Sequence, residues 1–247
     1  MYPRVATFGI DTTMVQSRNF SNLVLEISKA TPQSIYFCNV HMLMLAQEDT
    51  GLSKAMQSTD IVFADGVPIA WLQARVSNKD ACVIRGYEMV MAVCEQASRM
   101  HESVGFLGST PDIMTNLVSA LSKKFEGLHV AYQYCPPFTQ GNIESTQSEL
   151  VRINQSGIKW LFVGLGCPKQ EKWIAKYKHE LNCNILGVGA AFDWLSGKVK
   201  KPPSWMEKYA LAWLYRLFQN PTKMWRRYFI YNSKFILKAL PKLIRRK

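Results

Sequence analysis

Residues 160–173 read WLFVGLGCPKQEKW, and they decide the fold class. Trp160 to Val163 is an unbroken apolar run, as a strand covered on both faces requires. Gly164 and Gly166 end it, Pro168 suits the first turn of a helix, and Lys169, Gln170 and Glu171 follow at that helix's N-terminus. Strand, glycine turn and helix recur on either side. Strands are expected near Ala6 to Ile10, Ser34 to Asn39, Ile61 to Ala64, Ser103 to Leu107, His129 to Tyr134, Lys159 to Gly164 and Asn184 to Val188. Helices are expected near Phe20 to Ala30, Met42 to Gln57, Val67 to Ala74, Tyr87 to Met100, Pro111 to Phe125, Ile143 to Gln155 and Pro168 to Leu181. This alternation predicts an α/β fold, a Rossmann-like, largely parallel sheet flanked by helices. In such sheets ligands gather outside the carboxyl ends of the strands. Residues leaving strands are therefore the candidate site.

Several such residues carry chemistry. In FADG, Asp65 and Gly66 follow a strand; the carboxylate can project into the crevice and the glycine lets the backbone turn tightly, although Asp-Gly is also an ordinary turn pair. Asn39 and His41 leave the run IYFCNVH. An Asn amide both donates and accepts, which suits sugar hydroxyls, and it serves equally as a helix cap. His41 reads as a structural histidine rather than a proton carrier. Arg85, in VIRGYE, offers a planar fork for phosphate or carboxylate oxygens, with a surface ion pair as the alternative. Gly164, Gly166 and Lys169 sit where a strand meets a helix N-terminus, a place that favours anions. Gly108, past the strand at Ser103 to Leu107, and Gly189, in GVGAAFDWLSG, join the candidate binding residues. Asp193 reads as a cap or a pairing residue. The 164–171 turn is neither G-x-G-x-x-G, since Lys169 stands where the third glycine belongs, nor G-x-x-x-x-G-K-[ST]. There is no Asp-x-Asp, no H-E-x-x-H and no cluster of ligands in sequence, so neither a metal nor a cofactor is expected.

Charge divides the chain in two. Residues 198–247 carry fourteen Lys or Arg against Glu207 alone, whereas residues 1–197 carry sixteen cations and seventeen acids. The same last fifth holds ten of the twenty-nine aromatic residues, so it is not a solvated charge run. After the loop GKVKKPPSW, helices are expected over Trp205 to Phe218 and Thr222 to Leu240, split by Asn220-Pro221. On the second, Lys223, Arg227, Lys234 and Lys238 fall within about 60° of arc, beside Met224, Tyr228, Tyr231 and Phe235. We therefore divide the chain into an α/β catalytic domain, 1–197, and a basic aromatic helical appendage, 198–247. Cations among Trp and Tyr suit an anionic bilayer surface; a basic packed subdomain and a nucleic-acid surface are the alternatives. No run is long and apolar enough to span a bilayer, and no signal peptide opens the chain. Six cysteines without C-x-x-C spacing read as reduced packing residues, which points to the cytoplasm.

Taken in order, Asn39, Ala64-Asp65-Gly66, Arg85-Gly86, GLGCPKQE (164–171), GVGAAFD (187–193), PPSW, WLYRL, NP and RRY resemble the WecG/TagA/CpsF family of bacterial glycosyltransferases. The resemblance implies transfer of a sugar from a UDP-sugar to a polyprenyl-diphosphate-linked saccharide, with inversion and without a metal. It makes Asp65 the general base, lets Asn39 and Gln170 orient the donor sugar, and turns Arg85 toward charged oxygens. It also makes the appendage a membrane-targeting element that closes over the site, with Arg216 and Arg226 near the diphosphate. The implied place is the cytoplasmic face of the cell membrane, and the implied product a cell-surface or exopolysaccharide. A homo-oligomer is compatible with this reading; a nucleic-acid partner is not. Two positions depart from the family pattern: Phe37 stands where Thr is common, and Lys223 where Arg is common. The competing classes are a Rossmann-like oxidoreductase, resting on Gly164, Gly166 and Gly189, and a nucleic-acid-binding protein, resting on the appendage alone.

Overall fold

The computed structural model describes residues 2–137, 141, 143–203, 205, 206, 209 and 211–244, without the side chains of 223, 226, 227 and 242–244. Eight strands form one sheet: β1 (Arg4–Thr7), β2 (Ile10–Thr13), β3 (Ser34–Cys38), β4 (Ile61–Ala64), β5 (Ser103–Gly108), β6 (His129–Tyr134), β7 (Trp160–Gly164) and β8 (Asn184–Gly187), in the order β1-β2-β4-β3-β8-β7-β5-β6. Every neighbouring pair is parallel except β1–β2.

The central strands are apolar on both faces because both are covered. Period two sends Tyr36, Cys38, Val62, Ala64, Leu161 and Val163 to one face, and Ile35, Phe37, Phe63, Trp160 and Phe162 to the other. Over the first face lie α2 (Val40–Leu45), α3 (Thr50–Ser58), α4 (Val67–Ser77), α7 (Gln147–Gln155) and α8 (Lys169–Tyr177). Over the second lie α1 (Phe20–Lys29), α5 (Gly86–Met100), α6 (Pro111–Lys124) and the short α9 (Ala191–Leu195). The expected α/β sandwich with a largely parallel sheet is what the chain forms.

Three elements differ from their sequence reading. The strand expected at Ala6 to Ile10 is a hairpin turning at Phe8-Gly9, where both residues have positive φ, +51° and +82°, as in type I′ turns. The single helix expected over Met42 to Gln57 is two: Asp49 starts α3 by accepting the Leu52 N–H at 2.9 Å. The helix expected from Ile143 begins only at Gln147, where Thr146 and Glu149 form a capping box.

Beyond residue 198, Trp205 and Met206 are helical, residues 207, 208 and 210 lie outside the described residues, α10 spans Ala212–Gln219, and α11 (Pro221–Ile244) runs through Pro241. Of the aromatic stripe, Tyr231 and Phe235 turn toward α2 and the β1–β2 turn, whereas Tyr228 packs on Trp213 of α10. Tyr231 meets His41 edge-on at 4.8 Å, and Phe235 meets Phe8 at 5.9 Å. Lys234 pairs with Glu48, and Lys238 donates to Gln47 at 3.2 Å. Seated on α2 and the β1–β2 turn, α11 presents a different apolar set outward: Trp225, Phe229, Ile236 and Leu240 are all exposed, and at 100° per residue they span about 60°.

Candidate active site

The tips of β4, β3, β8 and β7 form the floor of the site. Cys38 pairs with Ala64, and the Asp65 N–H donates to the Cys38 carbonyl at 2.8 Å, so Asn39 and Asp65 leave adjacent strands side by side. Tyr36 pairs with Gly187 and Gly187 with Val163, which carries the row on to the 164–168 turn. The segment before α5 crosses the same row. Ile84 N–H donates to the Ala64 carbonyl at 2.9 Å, and a β-carbon on Gly86 would touch Phe37 and the Val188 carbonyl oxygen, each at 3.4 Å. Arg85 is thereby delivered between the β4 and β8 ends, and Phe37 is spent on the packing beneath it.

Asn39 is half-buried and caps α2, its Oδ1 accepting the Met42 N–H at 3.1 Å. Its amide NH2 has no partner among the described residues and can donate upward. Asp65 is half-buried beside it. Burial first, then the carboxylates of Asp65 and Glu171, pushes the Cys38 thiol up. Arg85 lies 3.5 Å from Glu88, whose same oxygen accepts from Arg18 at 2.6 Å and from the Tyr87 hydroxyl at 3.2 Å. The ion pair foreseen for Arg85 exists, but it is part-buried and at the crevice rather than on open surface.

Gln170 is 3% exposed. Its Oε1 accepts the Gly166 N–H at 3.2 Å and its Nε2 donates to Glu171 at 2.7 Å, tying the β7–α8 turn to the first turn of α8. Among the described residues a β-carbon on Gly166 would meet no atom within 4 Å, one on Gly66 would meet only Pro68 at 3.8 Å, and the nearest group to one on Gly189 would be the Gln170 amide. These three glycines leave space open around Asp65 and Gln170. Lys169 opens α8 beside them. Gly108 and Gly164 differ: they pair across β5 and β7, a β-carbon on Gly108 would lie 2.6 Å from the Gly164 carbonyl, and one on Gly164 2.5 Å from the Phe192 ring. Their bareness is demanded by packing. Gly108 also stands four strands from Asp65, about 19 Å along the sheet at ~4.8 Å per strand.

The appendage reaches this rim. The Arg216 guanidinium lies 4.6 Å from the Trp194 ring centre, Trp194 meets Tyr87 at 5.6 Å, and Lys201 sits 3.8 Å over Tyr87 and bonds its hydroxyl. Arg216 thus stands over α9, next to the Arg85 segment. The side chain of Arg226 lies outside the described residues. Sequence reasoning missed Trp194, Tyr87 and Glu88; the one available signal was their position, a few residues after Gly189 and Arg85.

The family model for "Glycosyl transferase WecG/TagA/CpsF family" matches residues 5–247. The chain belongs to this glycosyl transferase family. Among similar proteins are two N-acetylglucosaminyldiphosphoundecaprenol N-acetyl-beta-D-mannosaminyltransferases. That of Bacillus subtilis (strain 168) is 27% identical over 190 residues, covering 76% of this chain and 72% of the relative. That of Staphylococcus aureus (strain MW2) is 25% identical over 237 residues, covering 91% and 86%. The family match includes the appendage as well as the sheet, so α10 and α11 are part of what its members share.

Proposed function

We propose that this protein transfers an N-acetylhexosamine-type sugar from a UDP-sugar to a saccharide carried on a polyprenyl diphosphate, with inversion, at the inner face of the cell membrane. The observation that carries the reading is the adjacency of Asp65 and Asn39 at neighbouring strand ends, under a row of open glycines. The two relatives act on a lipid-diphosphate-linked N-acetylglucosamine by name, which supports an acceptor of that class here.

In the proposed reaction Asp65 takes the proton of the acceptor hydroxyl as its oxygen bonds the anomeric carbon. The bond from that carbon to the diphosphate breaks on the opposite face, and its electron pair leaves with UDP. Removing that proton contributes about 10²–10⁴-fold. The Asn39 amide, free to donate, and the Gln170 amide orient the sugar. Arg85, Lys169, Arg216 and Arg226 offset the charge that gathers on the leaving diphosphate, an electrostatic contribution that grows as water is excluded. Gly66, Gly166 and Gly189 leave room for the donor, and Gly108 and Gly164 shape the strand tips at the far end of the row.

Among the described residues no helix is long and apolar enough to cross a membrane. Of the thirteen exposed large apolar side chains among the described residues, nine lie beyond residue 198, Phe218, Trp225 and Phe229 among them. Together with fourteen cations they suit docking on an anionic bilayer surface. The test is product mass spectrometry with a panel of UDP-sugars and a short lipid-diphosphate N-acetylglucosamine acceptor. The expected product is acceptor plus one sugar from one donor. No product from any donor, together with NAD binding in calorimetry, would point to the oxidoreductase reading instead. Vesicles containing anionic lipid should bind the full chain and not residues 1–197; equal binding would remove the appendage from the membrane role.

A further inference from the structure

Glu171 takes no part in the reaction as drawn, yet it is 0% exposed on the first turn of α8 at the edge of the site. A carboxylate withdrawn from water is costly unless it is paired and hydrogen-bonded. Two bonds show what it holds: Glu171 Oε1 accepts from Gln170 Nε2 at 2.7 Å, while Gln170 Oε1 accepts the Gly166 N–H at 3.2 Å. The backbone around it is pinned, since the Tyr36 hydroxyl donates to the Glu171 carbonyl at 2.8 Å. The two ends of a carboxamide are nearly alike in shape and opposite in function. Inverted, the Gln170 carbonyl would face a carboxylate, and its NH2 would face the Gly166 N–H. Only one orientation satisfies both neighbours.

The amide is framed by rim glycines. A β-carbon on Gly187 would lie 3.3 Å from Nε2, and one on Gly189 3.5 Å from Oε1. One amide proton and one lone pair remain without a partner among the described residues. We propose that Glu171 is a positioning residue: its carboxylate fixes which end of the Gln170 amide is a donor and which an acceptor toward the sugar in the crevice. It acts through Gln170 and touches no substrate. The inference rests on sugar transfer taking place in this crevice.

Glu171→Gln keeps the shape and weakens the preference, because a glutamine at 171 offers either end to Gln170 and leaves the Gly166 N–H to set the orientation alone. With UDP-N-acetylmannosamine and the lipid-diphosphate acceptor, kcat should fall about tenfold, the scale of one charge-assisted hydrogen bond, with KM for the acceptor unchanged. In a Gln170→Ala background the same substitution should change kcat less than about twofold, since the residue it acts through is gone. An equal loss in both backgrounds, or no loss in the first, overturns the proposal. A second readout needs no activity: in the ¹⁵N-labelled full chain the Gln170 side-chain amide should show one slowly exchanging proton that becomes fast in Glu171→Gln. An unchanged amide overturns the proposal even if the wild type transfers no sugar, a result that would instead count against the glycosyltransfer reading.

Discussion

Replacing Gly108 by alanine should destabilise the protein more than the same change at Gly166, although the two glycines lie at and just past the ends of the neighbouring strands β5 and β7. Gly108 has φ +119° and Gly166 +81°, so each alanine is strained by about 1–2 kcal/mol. At Gly166 nothing more is added, because no atom lies within 4 Å of the new methyl. At Gly108 the methyl would sit 2.6 Å from both the carbonyl carbon and oxygen of Gly164, roughly 1 Å inside contact distance. Those are backbone atoms of a paired strand and cannot rotate aside, so forcing β5 and β7 apart adds about 1–3 kcal/mol. Gly108→Ala should therefore cost about 2–5 kcal/mol and Gly166→Ala about 1–2. Urea unfolding followed by circular dichroism separates them. With m near ~3 kcal/mol/M, the midpoint should fall by about 0.7–1.7 M in Gly108→Ala and by about 0.3–0.7 M in Gly166→Ala, with m unchanged. Equal midpoints would refute the close approach of the β5 and β7 tips, and with it the placement of the 164–168 turn that carries Gln170.

Trp194→Leu removes the ring on which Arg216 rests and which Tyr87 meets edge-on. Losing a cation–π contact and an aromatic pair weakens the seat of α10 by about 1–2 kcal/mol. Limited proteolysis between α9 and α10 should then accelerate about tenfold at unchanged global stability; an unchanged rate would show that this contact does not hold the appendage. Asp49 gives a pH dependence. Burial pushes its carboxyl up, but Lys172 and the Leu52 and Gly51 N–H groups outweigh that and hold it below the ordinary carboxylate range. Its contribution to stability is thus full above the unfolded value near ~3.9 and disappears as pH falls through the lowered folded value. Between about pH 5 and pH 3 the wild type should lose more stability than Asp49→Asn, and parallel curves for the two would contradict the assignment.

The layer architecture and most element boundaries were legible because continuous apolar runs of four to six residues, such as WLFV and IVFA, admit few readings other than a buried strand. Strand order was not, since nothing local tells β8 to insert between β3 and β7. The hairpin at Phe8-Gly9 was hidden because its first residue adopts positive φ without being Asn, Asp or Gly, the residue types that announce such a turn. The break before α3 and the start of α7 were readable in principle, from Asp49 and from Thr146-x-x-Glu149, where cap signals sit inside longer helical patterns. The candidate site was half legible. Asp65, Asn39, Arg85 and Gln170 stand at strand ends or helix starts, and the topology brings those tips together. Glu88, Tyr87 and Trp194 act through contacts between segments far apart in sequence, which no spacing encodes. The aromatic stripe of α11 shows the same limit: amphipathic periodicity located the stripe that holds Tyr231 and Phe235 but could not say that α2 and the β1–β2 turn would cover it.

The role of the strand-end carboxylate decides the rest. Single-turnover transfer by Asp65→Asn, measured alongside UDP affinity by calorimetry, tests it directly. The account predicts transfer lowered by about 10² or more, with UDP bound within about threefold of wild type. Turnover close to wild type in that variant would contradict it.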